Sequence, residues 1–86
     1  MPRVSQFFGI VIAMYYNDHA PPHFHARYGA QEASIVIETL KILEGSLPSR
    51  ALALVREWAE IHREELIADW EKARQGQLLD SIAPLV

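Results

Sequence analysis

Hydrophobic and polar positions follow two different periods along this chain, and the change falls near residue 45. Ahead of it the spacing is that of strands. Residues 9–16, GIVIAMYY, are apolar on both alternating sets, as in a central strand covered on two faces. Asn17-Asp18 and the Pro21-Pro22 pair end that run, since proline offers no ladder donor and fixes its own φ. The next two segments alternate. In HFHARY, His23, His25 and Arg27 point one way and Phe24, Ala26 and Tyr28 the other. In QEASIVIE, Glu32, Ser34 and Glu38, with Val36 among them, stand opposite Ala33, Ile35 and Ile37. Gly29-Ala30 between the two segments suits a two-residue hairpin with glycine first. In that register facing residue numbers sum to 59, so Arg27 meets Glu32, His25 meets Ser34 and His23 meets Val36. Arg27 thereby gains a cross-strand carboxylate. A short further strand is expected around Lys41 to Leu43.

Beyond Gly45 the period becomes helical. Pro48 fits a first turn, nothing in the following stretch breaks the pattern, and Gly76 is a natural stop. Leu47, Ala51, Leu54, Val55, Trp58 and Ile61 share one stripe, but Leu66, Trp70 and Ala73 are rotated from it by roughly a quarter turn. Either the helix breaks near His62 or its second half packs against something else. The tail, residues 77–86, is apolar enough to fold back on the body.

The expected fold class is therefore α+β, in one domain over 1–86: a small antiparallel sheet of three or four strands across about 9–44, and a long or broken helix across about 47–75 packed on one face. One helical layer covers one side only. Because residues 9–16 are apolar on both sides, a second copy or another protein is expected across the other face.

With 50% apolar and 22% charged residues, the composition excludes a disordered chain. There is no cysteine, hence no disulfide framework, thiolate zinc finger or cysteine nucleophile, and any tightly held metal must use imidazole and carboxylate ligands. This fits a reducing cytoplasm. The longest apolar run, Phe7 to Tyr16, is about half of what a membrane-crossing helix needs, and no signal-type cleavage pattern follows it, so no membrane role is expected. The net charge of −3, without a basic block, removes the long-range attraction that feeds nucleic-acid binding. Only a local basic pocket remains as a route to it.

Chemistry concentrates in NDHAPPHFHARYG, residues 17–29, which holds three of the four histidines. Three readings compete. In the first, His23 and His25 project from one face and His19 or Asp18 reaches back over the proline turn, a ligand set suited to zinc or a similar divalent transition metal. Unlike HExxH on a helix, this spacing does not by itself fix ligands and base. In the second, His23, His25 and Arg27, helped by Tyr28 or Tyr16, cleave a phosphodiester by metal-free acid–base catalysis. The alternation puts Tyr28 opposite Arg27, which counts against any scheme using both, as does the acidic net charge. In the third, the histidines bond backbone carbonyls or line an interface, with Asn17, Asp18, His19 and Tyr28 completing a recognition surface. His62, Glu65 and Asp69 form a helical row that either binds a cation or, as such rows more often do, stays solvated. The two tryptophans suit the core. There is no glycine-rich phosphate loop and no GxSxG elbow.

The order of these features, FFGIVIAMYYNDHAPPHFHARYG, then EASIVIE, LEGSLPSRAL and VREWAEIHREELIADWEKARQG, closely resembles a family of small bacterial proteins known only as domain of unknown function 4160. The resemblance runs over nearly the whole chain and centres on N-D-H-x-P-P-H-F-H-x-x-Y-G. It implies a stand-alone cytoplasmic protein encoded beside another short protein, an arrangement that suggests toxin–antitoxin pairs. It brings no catalytic residues with it. The leading expectation is thus a toxin–antitoxin-type component acting with a small partner encoded nearby, or as a homo-oligomer, through residues 17–29, with RNA as one candidate substrate. The alternative is a non-enzymatic dimerising or protein-binding module, with or without a histidine-bound structural metal.

Overall fold

Each strand pairs with the next one in sequence, so the sheet is a plain antiparallel meander, β1-β2-β3-β4-β5. The computed structural model describes residues 2–86: β1 (Arg3–Phe7), β2 (Ile10–Ala13), β3 (His23–Tyr28), β4 (Gln31–Val36), β5 (Ile42–Gly45), α1 (Ser49–Ile61) and α2 (Arg63–Arg74). The α+β class is as expected, but the sheet has five strands rather than three or four. β1 escapes the alternation rule because its register on β2 shifts between Arg3 and Ser5, which leaves the successive residues Val4 and Ser5 both buried. The β3–β4 register is the one anticipated, from His23 opposite Val36 to Tyr28 opposite Gln31. Gly29 has φ +61° in the two-residue turn, which costs glycine nothing.

The pleat sorts side chains between a helix-covered face and an open one. Phe7, Ile10, Ile12, Phe24, Ala26, Ala33 and Ile35 lie in the core with Ala51, Val55, Trp58 and Ala59 of α1. Trp58 sits at the centre, its ring 5.3 Å from Phe7 and 6.0 Å from Phe24. Of the two helical alternatives, a break is what the structure has. His62 ends α1 and begins α2, and the apolar stripe moves to Leu66, Trp70 and Ala73. Ile61, at the end of the first stripe, is exposed instead of buried, because the change of direction turns it outward. Gly76, φ +72°, closes α2: its N–H donates to Ala73 O and that of Gln77 to Lys72 O, a Schellman closure. The tail folds back as expected. Ile82 is buried, its N–H donates to Val4 O at 2.8 Å, and Trp58 Nε1–H donates to Ala83 O at 2.8 Å.

The open face differs from the continuous apolar surface the sequence suggested. β2 ends at Ala13, and its outward residues are only Val11, half-buried, and Ala13, buried. Across from them run Arg27 and His25 of β3, then Glu32 and Ser34 of β4, then Glu44 of β5. That surface is mainly polar. Two of the exposed apolar residues, Phe8 and Tyr28, instead line a cleft at the hairpin tips on the helix side with Ile10, Pro48, Ala51 and Leu54. No helix among the described residues is long and apolar enough to cross a membrane.

Candidate functional site

Between β2 and β3 the chain must turn while carrying polar side chains back over the end of the sheet. Asn17 takes a positive φ of 55°, a conformation that asparagine tolerates better than most residues. Asp18 follows, its Oδ1 accepting the N–H of His19 at 2.9 Å. The Ala20–Pro21 peptide is cis, and β3 begins at His23. His23 and His25 then leave the same side of β3, as the alternation requires.

The side chains converge on one atom. Asp18 Oδ2 lies 2.9 Å from His23 Nε2 and 3.0 Å from His25 Nε2. The outer nitrogens are held as well. His23 Nδ1 lies 2.7 Å from the carbonyl of Pro21, and a carbonyl can only accept, so the proton of that ring sits on Nδ1. His25 Nδ1 lies 3.3 Å from Ser34 Oγ and 3.4 Å from Glu32 Oε2. His23 is 1% exposed and packs its ring 5.2 Å from Trp70 of α2, whereas the side chains of Asp18 and His25 keep 16% and 15% of their surface. The cluster therefore has a closed floor and an open rim. Tyr15 sets its ring edge-on to His25, with centroids 4.3 Å apart.

Burial of Asp18 works to raise its pKa, but hydrogen bonds from His25 and the His19 N–H, with the charge and hydrogen bond of His23, outweigh it and hold the carboxyl below its ordinary value. The carboxylate is thus the ionised form that two imidazoles and a backbone amide address together. Asp18, His23 and His25 each offer one ligand atom, and these atoms all lie within 4.8 Å of one another, a spacing that a metal ion can span.

The other candidates are placed differently. His19, expected as the third metal ligand, is 65% exposed at its side chain; its Nδ1 lies 3.2 Å from Ala20 O and its Nε2 3.7 Å from Asp18 Oδ1, outside the converging set. Asp18, weighed as the substitute for His19, occupies the centre. Arg27 is on the same face two positions along β3, opposite Glu32, yet among the described residues it has no ion pair, because Glu32 turns to His25. Tyr28 is on the helix-covered side at the far end of β3, away from Asp18. Asn17 is exposed beside the cluster and shapes the turn. In the helical row, His62 Nδ1 bonds Glu65 Oε1 at 2.6 Å and does not join the strand histidines. Asp69 is buried rather than solvated, with Oδ1 accepting the N–H of Asp80 and Oδ2 unpartnered among the described residues.

Sequence reasoning set Ser34 opposite His25 without giving it a place in the site, and missed the partnership of Glu32 with His25. Ser34 was recoverable, since it faces His25 in the expected register, but the swing of Glu32 away from Arg27 leaves no periodic signal.

No curated protein and no solved structure matches this chain in the comparisons made. The family model described as a domain of unknown function, DUF4160, matches residues 9–71, a span that contains every strand of the site, its turn and most of both helices. By that match over well more than half of its length, with the histidine turn inside it, the chain belongs to the DUF4160 family.

Proposed function

We propose that the Asp18–His23–His25 cluster is the ligand-binding centre of a small module that acts with a protein partner, in the manner of one half of a toxin–antitoxin pair. The observation that carries this reading is the convergence of two imidazole nitrogens on one carboxylate oxygen at 2.9 and 3.0 Å. Packing alone does not call for it. An apolar side chain at the buried position of His23 would cover Trp70 without the desolvation that a bonded imidazole and carboxylate must offset. Recognition, rather than RNA cleavage, suits the surroundings: Glu32 lies against His25 and Glu44 stands on the same face across β4, so a phosphodiester placed there meets two carboxylates. The partner half of the reading is supported by Phe8, 60% exposed in a turn with φ +47°, a costly conformation for a bulky residue.

The test is co-expression with the product of an adjacent short gene, reading both growth and co-purification. His25→Ala and Asp18→Asn are expected to abolish the growth effect, and Phe8→Ser to weaken capture about tenfold or more. Unchanged growth and unchanged capture in His25→Ala would remove this reading.

A further inference from the structure

We propose that the centre's ligand is a divalent first-row transition metal ion of the zinc class, held by Asp18 Oδ2, His23 Nε2 and His25 Nε2, with the remaining coordination open to solvent or a bound molecule. This deepens the reading above and rests on it for its biological meaning, but not for its chemistry.

Three observations carry it. The first concerns lone pairs. With a proton on His23 Nδ1 directed at Pro21 O, the other ring nitrogen, Nε2, is left facing Asp18 Oδ2 at 2.9 Å. Two lone pairs facing each other repel, so the position calls for something positive: a second proton on the ring, or a cation that both atoms ligate. The second is the outer bonding. Metal-bound histidines characteristically donate their other N–H to a backbone carbonyl or carboxylate, which fixes tautomer and ring orientation. Here the outer nitrogen of His23 has a carbonyl, and that of His25 has Ser34 Oγ and Glu32 Oε2. The third is spacing and access. Ligands about 2.0–2.1 Å from a tetrahedral ion stand roughly 3.3 Å apart. The contacts to Oδ2 are shorter by a few tenths of an ångström while the set as a whole lies within 4.8 Å, so seating an ion takes a retreat of the carboxylate together with a small adjustment of the two rings. Asp18 and His25 keep the rim open while His23 and Trp70 close the floor. Two imidazoles and one carboxylate select a borderline ion over calcium or magnesium, which prefer oxygen throughout.

The experiment uses the full chain purified without a histidine tag and stripped with chelator. Zinc is titrated calorimetrically and cobalt(II) by its visible d–d bands, with circular dichroism confirming that each variant is folded. Expected are one equivalent bound per chain with four- or five-coordinate cobalt absorption, a loss of 100-fold or more in affinity in His25→Gln and Asp18→Asn, and at most a few-fold change in His19→Ala. Because His23 is buried and its replacement can unfold the chain, His23→Gln serves only as a supplementary variant. Absence of stoichiometric binding overturns the inference, as does binding that survives both His25→Gln and Asp18→Asn, or that is lost in His19→Ala. A chain that binds no metal yet loses its growth effect in His25→Ala overturns the metal alone; one that binds metal while His25→Ala leaves growth and capture unchanged overturns the functional reading alone.

Discussion

Asp69 shows how far a single side chain can depart from its apparent role. On the helical wheel it belongs to a polar row with His62 and Glu65, yet it is 1% exposed and burial pushes its pKa up, with the Asp80 N–H opposing and the negative charges of Asp80 and Glu65 adding to the rise. The consequence for stability has a definite sign. A carboxyl whose pKa is higher folded than unfolded binds its proton more tightly in the native state. Its contribution is therefore fully present below the ordinary aspartate value and is lost as pH rises through the folded value. Urea midpoints measured from pH 3.5 upward should contain a component that falls with rising pH in the wild type and is missing in Asp69→Asn; identical pH profiles would show that Asp69 is as solvated as the wheel implies. Ser5 offers a smaller case. It is buried, and its Oγ lacks a partner among the described residues, so Ser5→Ala is expected to be neutral or to stabilise by up to about 1 kcal/mol in the same assay. Residue by residue, the site was half legible. That His23 and His25 share a side follows from the pleat, which any strand imposes. That Asp18 rather than His19 faces them depends on backbone angles between Met14 and Pro22, a stretch with no period to read, where neighbours on a turn point in unrelated directions.

Among the elements, two positive-φ positions make opposite demands. Phe8-Gly9 joins β1 to β2 with φ +47° and +78°, the signs of a type I′ turn, whose favoured first residue is asparagine. Replacing Phe8 by asparagine should relieve backbone strain and stabilise the fold by about 1 kcal/mol, while removing an exposed aromatic from the hairpin tip. A destabilised Phe8→Asn would mean that the ring's contact with Phe7, centroids 6.5 Å apart, outweighs the strain. Gly45 is the converse. Its φ is +79° and a Cβ there would lie 2.1 Å from the backbone oxygen of Glu32, with no flexible atom able to yield. Gly45→Ala is expected to cost about 1–3 kcal/mol or more by thermal or urea denaturation. At this scale the sequence was most informative. The β3–β4 register, the glycine-first hairpin and the closure at Gly76 follow from local rules of pleat and glycine conformation, whereas the shifted apolar stripe left a break at His62 as one of two alternatives. The element it hid, β1, lies where a bulge breaks the alternation on which strand recognition depends, so that RVSQF reads as no strand at all.

For the whole molecule, the tail decides whether the sheet has a finished edge. β1 is one of the two edge strands of the sheet, and an open edge strand is a template for association with other chains. Residues 77–86 cross there: Ile82 donates to Val4 O and is 4% exposed, Ala83 O accepts the indole N–H of the central Trp58, the Asp80 N–H satisfies one oxygen of Asp69, and the Asp80 carboxylate pairs with Lys72. Most of these partners come from the core, whose buried polar groups become orphans when the tail leaves. Removing residues 78–86 therefore subtracts the burial of Ile82, about 1.5–3 kcal/mol, and strands the Trp58 N–H at a further 1–3 kcal/mol or so. Against a typical total of roughly 5–15 kcal/mol, that loss brings a domain of 86 residues close to unfolding. The shortened chain should unfold at markedly lower urea concentration and scatter light as its β1 edge pairs between molecules, whereas removal of Val86 alone, fully exposed, should change neither. Because α2 meets the tail through Asp69 and Lys72 and meets the site through Trp70 against His23, loss of the tail should also loosen the floor of the Asp18–His23–His25 centre. Histidine ring signals followed by nuclear magnetic resonance in the shortened chain would register this as broadening at His23. Unchanged midpoints together with sharp, unshifted His23 signals would mean that the sheet and α1 alone hold the site, and that the tail is packed on the body without supporting it.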